Sequence, residues 1–455
     1  MTYGILQKAD AYQMAFHAVD TTPQPMRAAI KDWYQLYYLQ APTKEEDPCQ
    51  QIPHTIVRKL TKTTFSEYSA TSKDAFVAAV LVGLRDASAE SMQQALIGGV
   101  SYLKPVPMGD RFAFTTVRRN NLLVFGRDAR GVPTDIGTAE VTVRDKFYYT
   151  LLERRTVDAN GYLTIRNKLY RSYSASDIGQ PTSLSELPQY AALPEEYTFP
   201  QPVGSVGLVP VRVPIENCVD GSADAVSVYA AAVGLIHNIN RNEAQLNGEF
   251  ERGKSKIIAS GDFLKKDKYG RAAIQDDVFV GIDEDPETVG ITNISPALRE
   301  ASYLARKQDY LRSVENIIGL KRGLLSEVEA VERTAKEITS SEGDYSLTIT
   351  DFQQMWEDAV REAIRLCGIL GKLYSIPGAH EVAVDQVVIS WGNGVLFDEE
   401  KTRQRMLGEV QAGLLQPERY LGFVYNLPCD SAAQRARIRK DYMPEVLDEP
   451  EEDEV

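Results

Sequence analysis

Cysteine and histidine are scarce in this 455-residue chain, four of each, and neither kind is arranged for chemistry. Cys49, Cys218, Cys367 and Cys429 stand far apart without a CxxC spacing, so neither a zinc site nor a disulfide framework is indicated, and a reducing cytoplasm fits. His17, His54, His237 and His380 are isolated, none at metal-ligand spacing with another His or Cys, which leaves them surface or packing roles. The GxSxG, HExxH and GxGxxG signatures are missing, so no catalytic residue is visible, no enzyme is expected, and no metal or other cofactor is called for. Long apolar runs are missing too: the longest, residues 75–84, falls short of the roughly 20 residues that cross a bilayer. The start, MTYGILQKADAYQMAFHAVD, has no basic stretch ahead of an apolar core, so no secretory signal is read and no membrane partner is expected. There is no basic excess either. A net charge of −14 and a pI near 5.0 argue against wrapping nucleic acid with a basic face. They leave room for a passage that DNA slides through, because a lining with few cations lets a duplex pass without sticking.

What is present is enough apolar material for several cores: 43% of 455 residues, where single cores stop growing at about 250 to 300 residues. The most telling stretch is 223–320, which reads as a long helix, a strand-rich insert and a second long helix returning toward the start of the first. On the outgoing segment Val226, Tyr229, Val233, Ile236, Ile239, Leu246 and Phe250 recur mostly at three- or four-residue intervals, which predicts one apolar stripe. On the returning segment Ser295 before Pro296 reads as a helix start, and Leu298, Ala301, Leu304, Leu311, Val314 and Ile318 form a second stripe. Each helix is roughly 30 to 40 Å long. Both stripes therefore need partners along their whole length, which copies of the same chain would supply.

The insert has strand-like runs at 257–259, 273–274, 278–282 and 289–291. Lys254, Lys256, Lys265, Lys266, Lys268 and Arg271 crowd its first half, and acids dominate its second. Two readings stand side by side: a solvated hairpin tip, or a polar docking face repeated around an oligomer. Where the returning helix meets the next one, Arg322, Arg333 and Lys336 lie among Glu327, Glu329, Glu332 and Glu337. They read either as surface charge pairing or as a loop that reaches into a central channel and touches phosphates.

The rest of the chain alternates clearly. Helices are predicted at 25–38, 54–65, 72–84 and 87–97, and a strand-rich stretch at 101–174 is punctuated by turns at 120–121, 129–131 and 158–161. A polar, proline-bearing linker at 176–207 follows, and 209–214 delivers the chain to the stalk. Beyond it, 332–370 is helical with Gly343 as an interruption, 384–391 is a strand, and Ser431 with Gln434 makes a capping box for the last helix. The end, EVLDEPEEDEV, is an acidic tail.

Residues 248–255, GEFERGKS, satisfy the P-loop pattern GxxxxGKS letter by letter, and 278–284, VFVGIDE, imitate the apolar strand and acids that hold magnesium. Context argues against both. A P-loop follows a strand and opens a helix, whereas here a predicted helix precedes and a strand-like KIIAS comes after. Glu249 and Glu251 would also sit inside the phosphate cradle. A P-loop ATPase remains the alternative from a different class, and a cytosolic oligomeric scaffold is a third.

Several segments together resemble the portal proteins of tailed bacteriophages, in the branch from Gram-positive hosts often labelled minor capsid protein. YYTLLERRTVDANGYLTIRNKLYRS is similar to that branch's strand meander, and VRVPIENCVDGSADAVSVYAAAVGLIHNINRNEAQLNGEFERGKSKIIAS to its approach to the stem helix and clip, so that GEFERGKS is family sequence. IIGLKRGLLSEVEAVERTAKEITSSEGDYSLTITDFQQMWEDAVREAI is similar to the segment after the second stem helix, with Thr334-Ala335-Lys336-Glu337 where Thr-Ala-Thr-Glu is usual. WGNGVLFDEEKTRQRMLGEVQAGLLQPERYL resembles the approach to the crown, with Leu-Gln-Pro where a serine is frequent.

The resemblance implies an α+β portal fold. The wing, helices plus an antiparallel β meander, would occupy 1–222, stem helices 223–250 and 296–318, and a small α/β clip 251–295. A channel loop with a long wing helix and strand would occupy 319–397, a helical crown 398–442 and the acidic tail 443–455. It also implies a homo-oligomeric ring of about twelve copies at one capsid vertex of the virion, assembled in the bacterial host cytoplasm around passing double-stranded DNA. Partners would be the terminase large subunit, the major capsid and scaffolding proteins and a head-completion adaptor. Docking would fall to Lys254, Lys256, Lys265, Lys266, Lys268 and Arg271, and channel contacts to Arg322, Arg333 and Lys336. Stem packing would fall to Val226, Tyr229, Val233, Ile236, Leu304, Leu311, Val314 and Ile318.

Overall fold

In the computed structural model residues 9–38, 48–253, 256–260, 279–282, 292–294, 298–327, 335–381, 387–392, 399–425, 427–429 and 431–443 are described. They fall into two compact units, Met1–Phe65 with Ser69–Ile389, and Ser66–Tyr68 with Ser390–Val455.

The first unit begins with α1 (Ala9–Phe16), α2 (Gln24–Tyr37), α3 (Ile52–Thr64), β1 (Ser69–Ser72) and α4 (Ala75–Gly98). Pro25 and Pro53 sit in the first turns of α2 and α3, where a missing N–H costs nothing. Asp74 caps α4 by accepting the Val77 N–H at 2.9 Å. The two helices expected at 72–84 and 87–97 are this one 24-residue helix. Neither Gly nor Pro separates them, and the charged pair Arg85-Asp86 only turns one face outward while Leu84, Ala87 and Ser88 stay buried. Gly83 lets α4 press on the sheet beneath it: a Cβ there would lie 2.5 Å from the Phe112 carbonyl oxygen.

That sheet is β2 (Val100–Met108) flanked by β3 (Arg111–Arg118) and, later in the chain, β10 (Val209–Arg212), all antiparallel. A larger antiparallel sheet runs β4 (Leu122–Arg127), β5 (Pro133–Arg144), β6 (Phe147–Val157), β7 (Leu163–Ser172) and β8 (Gln180–Thr182), with β9 (Glu196–Thr198) also on β7. Two of its turns share one design. In Asp128-Ala129-Arg130-Gly131 and Asp158-Ala159-Asn160-Gly161 the Asp carboxylate accepts N–H groups two and four residues on, and Gly takes a positive φ, 80° and 85°. α1 covers one face through the buried Tyr12, whose hydroxyl donates to the Thr138 carbonyl beside Leu123 and Leu152.

The linker expected at 176–207 is part of this sheet: β8 and β9 pair with β7, and Leu184, Leu187 and Tyr190 bury against Tyr149, Leu151 and Leu169. Strands of three residues are too short for alternation to show in sequence.

The chain continues through α5 (Val233–Arg252), β11 (Lys256–Ser260), β12 (Phe279–Ile282), β13 (Thr292–Ile294), α6 (Glu300–Ile318), α7 (Ala335–Leu373) and β14 (Val387–Ser390). β14 pairs with β1; of the expected strand at 384–391, residues 384–386 lie outside the described residues. Gly343 does not interrupt α7, which runs 39 residues. One helical glycine costs only about 1 kcal/mol, and the buried stripe Tyr345, Ile349, Phe352, Trp356, Ala359, Ala363, Leu366 and Leu370 outweighs it. Trp356 meets Phe65 edge to face, centroids 5.3 Å apart.

The second unit carries α8 (Glu399–Gln411), α9 (Pro417–Val424) and α10 (Ala432–Tyr442). Its last helix has the expected capping box, both hydrogen bonds between Ser431 and Gln434 being present. The Arg439 Nε donates to buried Glu418 at 2.5 Å, joining α10 to α9.

Candidate functional site: the helix pair and its strand insert

α5 and α6 are antiparallel partners. The pairing is written in four contacts along their length: Gly253, where a Cβ would strike Leu298; Arg299 on Glu249, both carboxylate oxygens within 3.0 Å; Asn242 Nδ2 donating to the Tyr303 carbonyl at 3.0 Å; and Lys307 Nζ 2.9 Å from Glu243 Oε2. Toward the start of α5 the pair is tied to the helical body. Asn240 accepts the Gln50 N–H at 3.0 Å, Lys307 reaches Gln50 Oε1 at 3.2 Å, and His237 lies 3.2 Å from Asp32. Ile236, Ile239, Leu311, Val314 and Ile318 are buried at this end. Toward the other end Phe250, Leu298 and Leu304 are 41–45% exposed, and Ile317 stands exposed beside the turn at the end of α6.

The first helix begins ten residues later than expected, at Val233 rather than 223. Val226 and Tyr229, read as helix-stripe positions, belong to a non-helical segment sunk into the core. The Val228 N–H and the Ser227 hydroxyl both donate to the Leu96 carbonyl at 3.0 Å, and Tyr229 Oη donates to the Trp33 carbonyl at 3.0 Å. Gly99, with φ 83°, gives this segment room: a Cβ would fall 2.5 Å from Ala225 and Val226 backbone atoms. The spacing 226, 229, 233, 236 imitates a helix because core contacts happen to recur at that interval. Val233 is half-buried, and Leu298 lies before α6, which starts at Glu300. Ser295 and Pro296 are outside the described residues.

Between the helices β11 is the central strand, parallel to β12 and antiparallel to β13. Lys256 lies in β11, while Lys254, Lys265, Lys266, Lys268 and Arg271, and the runs 273–274 and 289–291, lie outside the described residues. Of the P-loop look-alike, Gly248 through Arg252 are inside the last turns of α5 and Gly253 is its C-cap, donating its N–H to the Glu249 carbonyl at 2.7 Å, while Lys254 and Ser255 lie outside the described residues. Helix amides already spent on helix carbonyls do not cradle phosphate, and Glu249 is occupied by Arg299.

After α6 the chain turns at Gly319 (φ 75°) into a tight segment organised by Glu315. This buried carboxylate accepts from the Gly323 N–H at 3.3 Å, Leu325 N–H at 2.5 Å, Ser326 N–H at 2.9 Å and Ser326 hydroxyl at 2.7 Å. The Glu327 N–H donates to Gln308 Oε1 at 2.8 Å, and Lys59 Nζ donates to the Leu324 carbonyl. Arg322 and its neighbour Lys321 lie on this turn, with Lys321 exposed and Arg322 exposed beside it; Lys336 lies in the first turn of α7, and Arg333 is outside the described residues. Sequence reasoning passed over Glu315, although an acid between Leu311, Val314 and Ile318 in an apolar stripe is a readable sign of a buried carboxylate with fixed donors.

It passed over a second feature. Arg119, 1% exposed, and Arg127 converge on Asp224 Oδ1 at 3.1 and 2.7 Å, beside a cavity of about 540 Å³ lined also by Tyr102, Arg212 and Arg365. Burial raises the Tyr102 phenol above its ordinary range, against the pull of Arg119, Arg127 and Arg212. Among the described residues no His, Cys, Asp or Glu group is arranged to hold a metal, and no helix is long and apolar enough to cross a membrane.

No family model matches the sequence, and no curated protein does. Among solved structures, the chain is similar to a chain in the neck of a native GTA particle computed with C12 symmetry, at 12% identity and a TM-score of 0.48, covering 92% of this chain and 99% of that one.

Proposed function

We propose that this chain is the portal subunit of a phage-type particle, closing into a ring of about twelve copies around double-stranded DNA. The observation that carries the reading is the antiparallel pair α5 and α6: anchored at one end, bearing a three-stranded insert at the other, and exposing Phe250, Leu298 and Leu304 near that insert. Such side chains are costly in a monomer and are covered when a heterologous interface closes on itself. In this reading α5 and α6 are the stem, β11 to β13 the clip, the sheets and α7 the wing, and α8 to α10 the crown.

The ring's work is mechanical. It nucleates the shell with the capsid and scaffolding proteins, docks the terminase large subunit, lets the genome enter and leave, and afterwards holds the head-completion adaptor at the capsid vertex. Lys254, Lys256, Lys265, Lys266, Lys268 and Arg271 are proposed for docking, and Arg322, Arg333 and Lys336 for contact with passing phosphate. Energy comes from the motor's ATP. The helical placement of 248–252 disfavours a nucleotide site in this chain.

Negative-stain electron microscopy with mass photometry on the full-length protein tests the reading. Rings with a central hole and a mass near twelve copies are expected; a stable monomer that binds ATP overturns it.

A further inference from the structure

We infer that Glu315 is the positioning residue for the basic turn carrying Lys321 and Arg322. The inference rests on the portal reading for the phosphate those cations meet, and on geometry alone for the anchoring.

α6 ends where Gly319 turns left-handed, with the Leu320 N–H donating back to the Glu315 carbonyl at 2.8 Å and Thr348 Oγ1 of α7 donating to the Gly319 carbonyl at 3.2 Å. Glu315 therefore works twice: its main chain closes the helix, and its side chain holds the turn beyond the helix end. An ionised carboxylate only accepts, and here each oxygen takes two donors. Oε1 receives the Leu325 and Ser326 amides, and Oε2 the Gly323 amide and the Ser326 hydroxyl. All four donors come from the turn itself. Gln308, about two turns earlier on the same helix, and Lys59 on α3 add two ties at Glu327 and Leu324.

Drawing the turn's own amides inward leaves Lys321 and Arg322 toward the outer side. For a cation that meets a moving duplex, reach matters as much as charge. Held on a fixed backbone it touches phosphate at one distance from the axis; on a slack one it tracks the strand and prolongs each contact. The carboxylate thus sets how far the basic turn extends, which a surface ion pair would not do, since surface pairs hold little.

Hydrogen exchange on assembled full-length protein tests this, with Glu315→Gln as the variant. The amide side chain keeps the shape but places an NH₂ against N–H donors. Exchange at 323–326 is expected to rise about tenfold or more, with α6, α7 and ring mass unchanged. Unchanged exchange overturns the anchor, and so does a rise spread evenly over α6 and α7, which would mark a general structural role. If Glu315→Gln does not assemble, Ser326→Ala and Gln308→Ala must each quicken exchange at 325–327; failure of both overturns it equally. The phosphate half is read separately. Lys321→Ala with Arg322→Ala should lower the slope of log affinity for duplex DNA against log salt by about 0.9 per lost contact, whereas Glu315→Gln should change affinity at constant slope. A slope unmoved by the double substitution sinks the phosphate contact and leaves the anchor standing.

Discussion

Asp224 Oδ1 lies 3.1 Å from Arg119 Nη2, joining two residues 105 positions apart that are both almost wholly buried. Arg127 reaches the same oxygen at 2.7 Å, so one carboxylate holds two guanidinium groups at the point where the chain leaves the sheets for the helix pair. Replacing Asp224 with Ala leaves Arg119 charged and buried, and unfolding in urea should show a loss of about 3–5 kcal/mol. A loss below about 1 kcal/mol would mean that water enters the neighbouring cavity and takes the carboxylate's place.

Glu153 sets an acid limit on the same body. Burial pushes its carboxyl up, but the charges of Arg155 and Lys104 outweigh that and hold it at about 2, below the ordinary 4.5. A depressed folded value means stability that is complete above the unfolded value and lost as pH falls toward 2. The wild type should therefore be more stable than Glu153→Gln at neutral pH by an amount on the order of 3 kcal/mol, and the gap should close between about pH 5 and pH 2. Thermal melts across that window check it, and a gap independent of pH would refute the charge argument.

Gly83→Ala pits helix propensity against packing. Alanine gains about 1 kcal/mol in a helix interior. The new methyl would lie 2.5 Å from a carbonyl oxygen in β3, a backbone atom that does not swing away as a side-chain tip does. A net loss of about 1–3 kcal/mol is expected by denaturant unfolding, and a gain would show that α4 shifts freely over the sheet.

Leu298→Asp and Leu304→Asp together should abolish rings in mass photometry while the melting temperature of the monomer stays within a few degrees, because both side chains are exposed in the single chain. Rings that persist would place the subunit interface elsewhere.

Lys254→Ala should leave DNA packaging intact, because the residues before it are helical rather than a phosphate cradle. Charge reversal at Lys265 and Lys266 should abolish docking of the packaging motor in a pull-down. Nucleotide binding that disappears with Lys254→Ala would instead favour an ATPase.

Much of the architecture was legible because it is encoded locally. The strand meander announces itself through Asp-x-x-Gly turns and alternating β-branched residues, and the last helix through Ser431 and Gln434. Where periodicity misled, tertiary contacts decided. Val226 and Tyr229 have helical spacing, yet the Val228 N–H is taken by Leu96, more than a hundred residues away, and periodicity cannot see that acceptor. The strands on either side of Leu184 were invisible because three-residue pairings depend on an existing edge. Of the site, the helix pair was readable in outline, whereas Glu315 and Asp224 matter through donors that only the folded backbone gathers.

Because α5 starts from a segment tied to α2 and α4, and α6 ends in a turn tied to α3 by Lys59 and to α7 by Thr348, the helix pair is a beam clamped at one end. Force applied at its strand-bearing tip acts on the clamp with a lever arm of about 30 Å. A push or twist delivered there is therefore felt first at Leu96, Trp33, Gly319 and Leu324, and strain at the tip is converted into torque on the body.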